Sequence, residues 1–557
     1  MTAFNTAGAD CMTMIIGRKA SSTGRVIIGH NEDDGGRFIV RHGYVPSCDH
    51  GAEFVPCEEG HAAIPQTAHT VGFYWSEVCG PSRGASNSDL MINDNGVCIV
   101  SNSSCGSREE AANEAILRDG GIEYNIRRIA AERAKNARDG AEIIRQLAEK
   151  WGYAASGRLY TVADSQEAFV IQLMRGQRYL AVRVPDDAVV AMPNHYIVRS
   201  RRDAEEVLYS PDLVSYAVKK GWASSEEDFD FYEAYQSRAH YLDPINLLRQ
   251  GHALRQLAGI AFDRARLPFS VKVNRAYAVK DVMNVLSSHY EGTPDDTRFG
   301  PGASPHNTGA TRICRGSTIE STVVEFADHP KDVTAWTAFG RPCQQPFIPL
   351  HPLCGTVDAL DRMEDPAAAL AAHLTPARGG VTYQHSGWQK LRDFGNMAEF
   401  FYGTCEAELH AFRDEWYEAR SRANRERTVP AAQFDACQAA DALSAVEAFA
   451  ARHFRQVQVS ASVQESENRC LVSFECGEPP REESLLFGVG CLSPRTQYAH
   501  ALPGSLIQTD SRRYQAAFPL SDVFCIPLGE GAFECFLGGN TEQGKPFAGM
   551  TLIERAQ

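Results

Sequence analysis

Apolar and polar positions near the start of the chain predict a β-hairpin. Apolar residues dominate Met12–Gly17 and Val26–Gly29, and a polar turn rich in Ser, Thr and Gly lies between them. Two short apolar runs around a turn of this composition are typical of paired antiparallel strands. A cysteine, Cys11, directly precedes the first strand of this hairpin.

The pattern that follows predicts alternating blocks of strands and helices. Period-2 or short apolar runs predict strands within 70–77, 90–101, 159–192 and 312–339, and apolar side chains at helical spacing predict helices within 108–118, 122–150, 203–265 and 279–290. Residues 37–70 show neither pattern and are predicted to be an irregular surface loop. This order predicts an α+β core in which sheets pack on each other with helices outside.

The composition changes beyond about residue 356. Residues 356–455 are charged and rich in alanine and are predicted to be helical, whereas 456–557 are strand-like. We therefore predict four parts: a removable leader (1–10), a catalytic domain (11–355), a helical region (356–455) and a C-terminal β or α+β unit (456–557). The last unit has no identified chemistry.

Composition limits the class of protein. Hydrophobic residues make up 43% and charged residues 22% of the 557 residues, which is typical of a soluble globular protein. No apolar run approaches the length of a membrane span. The formal charge of -15 disfavours nucleic acid and anionic lipid as partners.

Cysteine use and missing motifs bear on location and cofactors. Sixteen cysteines in a chain without an apparent export signal favour a reducing compartment, so a cytoplasmic location is expected. The cysteines form no CxxC pair, so a structural zinc site is not expected from their spacing. A P-loop and a GxGxxG pattern are also missing, and we expect no cofactor.

The ten residues before Cys11, MTAFNTAGAD, are small and polar. If the chain is cut after Asp10, one residue carries both a thiol and a free α-amine. That amine titrates at about 7.7–8.0, so it can accept the thiol proton near neutral pH. Nucleophile and base then share one residue. The alternative is that Cys11 is an inert cysteine buried in a strand.

A series of segments follows in order over about residues 11–355: CMTMIIGRKAS, GHNEDDGG, YWSEV, INDNGVCIVSN, GIEYNIRRIAAERA, EAFVIQLMRGQRYLAVRVPDD, MPNHYIV, VKDVMNVLSSHYEGT and PHNTGATRICRGSTIESTVV. Together these segments closely resemble the dipeptidase A-type cysteine peptidases. Those peptidases belong to the N-terminal-nucleophile hydrolases and have the secernins as relatives. The resemblance implies a four-layer αββα sandwich, autocatalytic exposure of the cysteine, hydrolysis of an amide in a small peptide, and no metal.

The resemblance also implies roles for five residues of this chain. Cys11 is similar to the nucleophile, and Asp33 to the acid that positions the terminal amine. Asn102 is similar to an oxyanion donor and Asn194 to a polar residue that holds substrate or amine, while Arg275 is a weaker match to an arginine near the thiol. Each has an ordinary alternative: a solvated turn for the acid, a turn or cap for the asparagines, and a surface cation for the arginine.

Two further features concern histidines. The relatives usually carry arginine where this chain has His30, and an imidazole with a reference pKa of about 6.5 is largely neutral at pH 7. His289 and His306 suggest a Cys–His dyad, but the terminal amine already supplies a base and the sequence around a papain-type cysteine is missing.

We therefore predict a hydrolase that cleaves dipeptides or small peptides. A substrate carboxylate would need a cation such as Arg275 or Arg315. The alternatives are an amidase or acyltransferase acting on N-acyl amino compounds, and a non-catalytic secernin-like scaffold. The expected partner is a small peptide substrate, with a homo-oligomer also compatible, and the sequence fixes no side-chain preference.

Overall fold

A computed structural model describes most of the chain. The described residues are 11–34, 38–57, 59–79, 87–102, 106–296, 304–306, 312–360, 363, 365–372, 386–490, 498–525 and 531–555. The predicted leader, residues 1–10, lies outside them.

Nineteen strands are described in the first 350 residues. They are β1 Met12–Ile16, β2 Ile27–Asp33, β3 Ile39–Val45, β4 Cys48–Asp49, β5 Phe54–Val55, β6 Ile64–Pro65, β7 His69–Thr70, β8 Phe73–Cys79, β9 Asn87–Asn93, β10 Cys98–Asn102, β11 Tyr153–Ala163, β12 Ala168–Gly176, β13 Tyr179–Arg183, β14 Ala188–Met192, β15 Val207–Tyr209, β16 Val271–Lys272, β17 Thr318–Glu325, β18 Thr334–Ala338 and β19 Ile348–Leu350. Most of them belong to two antiparallel sheets. The first has the order β16-β14-β1-β2-β17-β18-β19 and the second β15-β13-β12-β11-β10-β9-β8-β3.

The α-helices of the described chain lie between these strands and beyond them. They are α1 Glu109–Asn113, α2 Asn125–Arg133, α3 Ala137–Trp151, α4 Leu213–Lys219, α5 Phe231–Tyr235, α6 Pro244–Ala258, α7 Val279–Leu286, α8 Pro366–Ala371, α9 Gly387–Ala398, α10 Tyr402–Arg425, α11 Ala431–His453 and α12 Leu520–Val523. No described helix is both long enough and apolar enough to cross a bilayer.

Alternating side chains of the two sheets contribute to different cores. Ile15 and Ile28 of the first sheet share one buried cluster with Val100 and Val170 of the second, so the facing sides of the sheets pack together. The other side of the first sheet packs with α6 and α7, and the other side of the second packs with α2 and α3. This arrangement follows from the period-2 alternation of strand side chains.

Helix α7 packs closely against β2 at a glycine. A Cβ atom on Gly29 would lie 2.3 Å from Cγ1 of Val282 and 3.1 Å from Cδ1 of Leu286. Any larger residue would push the helix from the strand, so Gly29 sets the spacing between this helix and the hairpin.

The mixed α and β character and the first hairpin are confirmed, and two local predictions are wrong. Part of the stretch predicted to be irregular, residues 37–70, forms β3, which pairs along its whole length with β8. Residues 30–33 continue β2 and are buried, so the alternative of a solvated turn for Asp33 does not hold. Residues 312–314, predicted to be extended, lie before β17.

The C-terminal part contains a helical segment and two further sheets. Helices α9 to α11 share a buried cluster with Ile348 and Leu350 of β19. The strands are β20 Arg455–Gln456, β21 Val459–Gln464, β22 Arg469–Glu475, β23 Leu486–Val489, β24 Ala499–His500, β25 Ile507–Gln508, β26 Arg513–Pro519, β27 Gly531–Asn540 and β28 Pro546–Arg555. Their orders are β20-β28-β27-β23-β24 and β21-β22-β26-β25, and both sheets contribute to one apolar core.

Candidate active site

The register of the first hairpin brings Cys11 opposite Glu32. Strand β1 pairs with β2 so that Met12 faces Asn31 and Thr13 faces His30. The next pair outward is therefore Cys11 with Glu32, and cross-strand neighbours project to the same side of a sheet. Their side lies towards the second sheet, because the apolar pair Ile15 and Ile28 belongs to the core between the sheets.

The Cys11 thiol is buried among ionisable groups. Its Sγ donates a hydrogen bond to Oε2 of Glu32 at 3.3 Å, and the same oxygen lies 3.4 Å from Nε2 of His30. Burial, together with the charge of Glu32, raises the pKa of this thiol to about 12, while His30 acts in the opposite direction. In the uncut chain the sulfur therefore carries its proton at neutral pH.

A short hydrogen-bond chain joins this strand pair to the second sheet. Oγ1 of Thr13 donates to Oδ1 of Asn102 at 2.6 Å and lies 2.7 Å from Nδ1 of His30. The amide nitrogen of Asn102 donates to the carbonyl of Met192 at 2.9 Å. Asn102 is fully buried at the end of β10, so its amide is held in one orientation beside β1.

An arginine from helix α6 reaches the backbone of Cys11. Nη1 of Arg249 donates to the Cys11 carbonyl at 3.1 Å, and Nη2 donates to Oδ1 of Asn194 at 2.9 Å and to Oδ1 of Asn246 at 2.6 Å. Arg249 and Asn194 are both buried. The network therefore connects the end of β14 to the residue that begins the hairpin.

The sequence of α6 explains why Arg249 is fixed there. The helix begins at Pro244, where the Asp243 side chain accepts a hydrogen bond from the Ile245 backbone, and it ends at Gly259 with a φ of 73°. Proline at the first position and glycine in the left-handed region after the last turn are typical helix limits. Within the helix, Asn246 and Arg249 are three residues apart and so lie on the same face.

Asp33 lies on the opposite side of β2 from Glu32. It is fully buried, and Oγ1 of Thr318 donates to its Oδ1 at 2.5 Å. Its charge contributes to the raised pKa of the Cys11 thiol, although less than that of Glu32. The structure thus brings Cys11, Asp33, Asn102 and Asn194 to one end of β1.

Arg275 does not join these residues. Its side chain is 59% exposed, forms an ion pair with Asp281 at 3.1 Å and lies over the ring of Tyr277. Tyr277 pairs with the chain at Ala20 and Ser21, beyond the end of β1 opposite to Cys11. This placement argues against the predicted role of Arg275 beside the thiol, and Arg249 supplies the buried cation instead.

Sequence reasoning missed Glu32, Thr13, Arg249 and Asn246. Counting outward from the predicted turn gives the hairpin register, which would have indicated that Glu32, and not Asp33, faces Cys11. No comparable signal exists for Arg249, because a helix more than 200 residues away supplies it.

Cys11, His30 and Glu32 could also bind a cation. Their Sγ, imidazole and carboxylate atoms lie within 4.8 Å of one another and all three residues are buried. Thiolate, imidazole and carboxylate are each ligands for zinc. The same three groups are equally suited to proton transfer to and from a thiol.

Comparison with known proteins decides the family. The family model described as peptidase family C69 matches residues 10–372, beginning one residue before Cys11. The chain belongs to peptidase family C69. The match includes Glu32, Asp33, Asn102, Asn194 and Arg249, which all lie within the residues described above.

Relatives of this C69 peptidase carry dipeptidase names. It is 27% identical over 366 residues to a probable dipeptidase of Salmonella dublin, covering 61% of this chain and 80% of that protein. It is 24% identical to a probable dipeptidase of Latilactobacillus sakei (61% and 73%) and 23% identical to dipeptidase A of Lactobacillus helveticus (61% and 75%). The predicted resemblance and the prediction of a peptidase are confirmed.

A solved structure was also matched. A mutant of the conjugated bile acid hydrolase from Clostridium perfringens is 8% identical to the C69 peptidase chain, with a TM-score of 0.28, and covers 59% of this chain and 89% of its own. Similarity at this level carries no argument about fold or activity.

Proposed function

We propose that this C69 peptidase hydrolyses the peptide bond of dipeptides or small peptides with the Cys11 sulfur as nucleophile. The observation that carries the proposal is the arrangement around Cys11, in which Glu32 accepts a hydrogen bond from the thiol and Arg249 donates one to the backbone carbonyl. The buried carboxylate of Glu32 holds the Cys11 sulfur, and the buried guanidinium of Arg249 holds the backbone of the same residue. The names of the relatives support a dipeptide substrate.

The first proposed step is removal of residues 1–10. The Cys11 sulfur attacks the carbonyl carbon of residue 10 while its proton passes to Glu32. The C–N bond then breaks as Glu32 gives this proton to the leaving nitrogen, so the amide becomes a thioester and a free amine. Water then hydrolyses the thioester, releasing residues 1–10 as a carboxylic acid and restoring the thiol. The raised pKa of the thiol in the uncut chain makes this form slow to react with other substrates.

The new α-amine then serves as the base in peptide hydrolysis. It accepts the thiol proton, the sulfur attacks the substrate carbonyl, and the amine returns the proton to the leaving nitrogen. We assign Asp33 to positioning this amine, Asn102 to donating to the developing oxyanion, and Asn194 to holding substrate or amine with Arg249. Water activated by the same amine releases the second product from the thioester.

The remaining sequence predictions fit this proposal. The two facing sheets with α6 and α7 on one side and α2 and α3 on the other suit the αββα sandwich of N-terminal-nucleophile hydrolases. We retain residues 11–355 as the catalytic domain, followed by a helical region (356–455) and a β unit (456–557). A cytoplasmic location and a homo-oligomer stay predictions.

The test combines intact mass with a dipeptide assay. Purified protein should begin at Cys11 and cleave free dipeptides, and Cys11→Ala should retain residues 1–10 and lose turnover by on the order of 10⁴-fold or more. Cys11→Ser should be intermediate, because a hydroxyl is harder to deprotonate than a thiol. Cys98→Ala, a buried cysteine of the second sheet, is the matched control and should behave as the parent protein.

Three outcomes contradict parts of this proposal. Dipeptide cleavage by Cys11→Ala rejects the nucleophile, and an active enzyme that starts at Met1 rejects the terminal amine as base. Hydrolysis of N-acyl amino acids in preference to dipeptides points instead to an amidase.

A further inference from the structure

A second group of sulfur and imidazole side chains lies outside the residues assigned to catalysis. His289, His306, Cys314 and Cys343 are all buried, and their ligand atoms lie within 4.8 Å of one another. We call these four residues the Cys2His2 cluster. His289, His306 and Cys314 lie between α7 and β17, with His306 on a short described segment, and Cys343 lies between β18 and β19. Two connections of the chain therefore meet at this cluster.

The distances within the cluster match those of a tetrahedral zinc site. Nε2 of His306 lies 3.1 Å from Nε2 of His289 and 3.5 Å from each of the two sulfurs, of Cys314 and Cys343. With zinc bonded to nitrogen and sulfur at its usual lengths, tetrahedral angles separate two nitrogens by about 3.3 Å and a nitrogen from a sulfur by about 3.6 Å. The three distances from His306 thus match such a site, and all four ligand atoms lie within 4.8 Å of one another.

Both imidazoles are backed by carboxylates on their outer nitrogens. Nδ1 of His289 lies 2.8 Å from Oε1 of Glu291, and Nδ1 of His306 lies 2.6 Å from Oε1 of Glu399. A carboxylate accepts, so each Nδ1 carries a hydrogen, which leaves Nε2 as the ring atom that can bind a metal ion. Histidines that bind zinc usually donate from their other ring nitrogen to a carboxylate in this way.

We propose that the Cys2His2 cluster binds one structural Zn²⁺ ion. The two thiols lose their protons on binding, and the four protein ligands complete a closed tetrahedral site with no open position for substrate. This proposal is independent of the proposed peptidase mechanism, because none of the four ligands has a role there.

The position of the site indicates what the ion stabilises. Glu399, which holds His306, belongs to the turn after α9 in the C-terminal helical segment and also accepts hydrogen bonds from Ser304 and Gln344. All four ligands belong to the part of the chain that forms the two large sheets. A bound ion therefore fastens the helical segment to the end of α7 and the start of β17.

The site also explains why cysteine spacing did not predict it. His306 is 17 residues from His289, 8 from Cys314 and 37 from Cys343. Compact zinc motifs place ligands in close pairs along the sequence, whereas here three ligands are spread over the connection between α7 and β17 and the fourth lies between β18 and β19.

The first test is the metal content of the full-length protein with any affinity tag removed. Elemental analysis after dialysis should give about one zinc per chain. Cys314→Ala combined with Cys343→Ala should lose this zinc, whereas Cys405→Ala, another buried cysteine of the same apolar core, should retain it. Cys11→Ala should also retain it, which distinguishes this site from the Cys11, His30 and Glu32 group.

A second measurement does not depend on a variant that folds. Parent protein stripped of metal with a chelator and reloaded with Co²⁺ should show thiolate-to-cobalt charge transfer and the visible bands of tetrahedral cobalt. Its melting temperature should fall on stripping by on the order of 10 °C and recover with Zn²⁺. Metal-free parent protein that neither binds Co²⁺ through sulfur nor changes its melting temperature overturns the proposal, as does a Cys314–Cys343 disulfide in the parent protein.

Discussion

Two buried groups in this protein are built from the same chemical parts but arranged in opposite ways. In the Cys11 group, a carboxylate contacts the sulfur directly and a single imidazole lies beside it. In the Cys2His2 cluster, the two sulfurs surround an imidazole nitrogen and the carboxylates lie on the far side of the rings. The position of the carboxylate therefore separates a group suited to moving a proton from one suited to holding a cation.

The surroundings of the two groups also fit these two different roles. The Cys11 group begins the hairpin next to a proposed cleavage point, with Arg249 on the backbone carbonyl. The Cys2His2 cluster joins the connection between α7 and β17 to the one between β18 and β19. Its surroundings include Tyr402, whose ring lies edge-on to both histidines. Reactivity at one group and rigidity at the other are the expected results, and substitutions can test each separately.

The largest effect should come from removing the buried cation of the Cys11 group. Arg249→Met removes the hydrogen bonds that the guanidinium donates to the Cys11 carbonyl and to two asparagine oxygens. The free energy of unfolding should therefore fall by about 3–5 kcal/mol and turnover should be lost. Arg255→Met, on the exposed side of the same helix, should change stability by less than about 0.5 kcal/mol. Urea unfolding and the dipeptide assay provide the measurements, and an active, stable Arg249→Met protein would contradict the assigned role.

Asn102→Ala should act on the reaction step alone. Loss of one oxyanion donor should lower kcat by about 10²–10³-fold with little change in KM. Thr13→Val, which removes the hydroxyl bonded to Asn102 but keeps the amide, should lower kcat by at most about tenfold. Zinc content should stay the same in both variants. Equal effects of the two substitutions on kcat would mean that Asn102 acts only through its contact with Thr13, and not as an oxyanion donor.

His195 provides a third type of buried imidazole, with an amide instead of a carboxylate as its partner. Its ring nitrogen Nε2 lies 2.7 Å from Oε1 of Gln250, and burial lowers its pKa from 6.5 to about 4. Between these values the unfolded chain binds a proton that the native protein does not. Stability should therefore fall by about 3 kcal/mol as the pH drops from 6.5 to 4.

Urea unfolding across that pH range measures the contribution of His195. His195→Gln should remove the predicted fall in the free energy of unfolding between pH 6.5 and 4, whereas His240→Gln, at an exposed position, should preserve it. If the free energy of unfolding of His195→Gln depends on pH as that of the parent protein does, His195 does not cause the loss of stability.

The smallest of these effects should separate the two neighbouring acids. Glu32→Gln should slow the release of residues 1–10 by about 10²-fold, because the thiol loses its proton acceptor. Asp33→Asn should leave that release nearly unchanged and reduce turnover of the cut enzyme. Time-resolved intact mass and the dipeptide assay follow the two steps, and slower release in Asp33→Asn than in Glu32→Gln would exchange the assigned roles.

Patterns along the sequence predicted those parts of the site that are formed by residues close together in the chain. The apolar runs around the first turn located the hairpin, and the resemblance identified Cys11, Asn102 and Asn194. The same patterns could not locate Arg249 or the Cys2His2 cluster, because both depend on packing between connections far apart in sequence. Asp33 was chosen over Glu32 because of the resemblance. The alternation of side chains along β2 would have indicated that Glu32 is the acid on the same side as Cys11.

Asn31 links the two groups mechanically. Its amide nitrogen donates to the carbonyl of Leu286 at 2.9 Å and to that of Ile313 at 3.1 Å, so one side chain fastens the residue before Glu32 to the segments that lead into His289 and Cys314. Disorder spreading from an empty metal site would reach the hairpin along this path. Loss of zinc should consequently weaken catalysis even though the ion takes no part in bond cleavage.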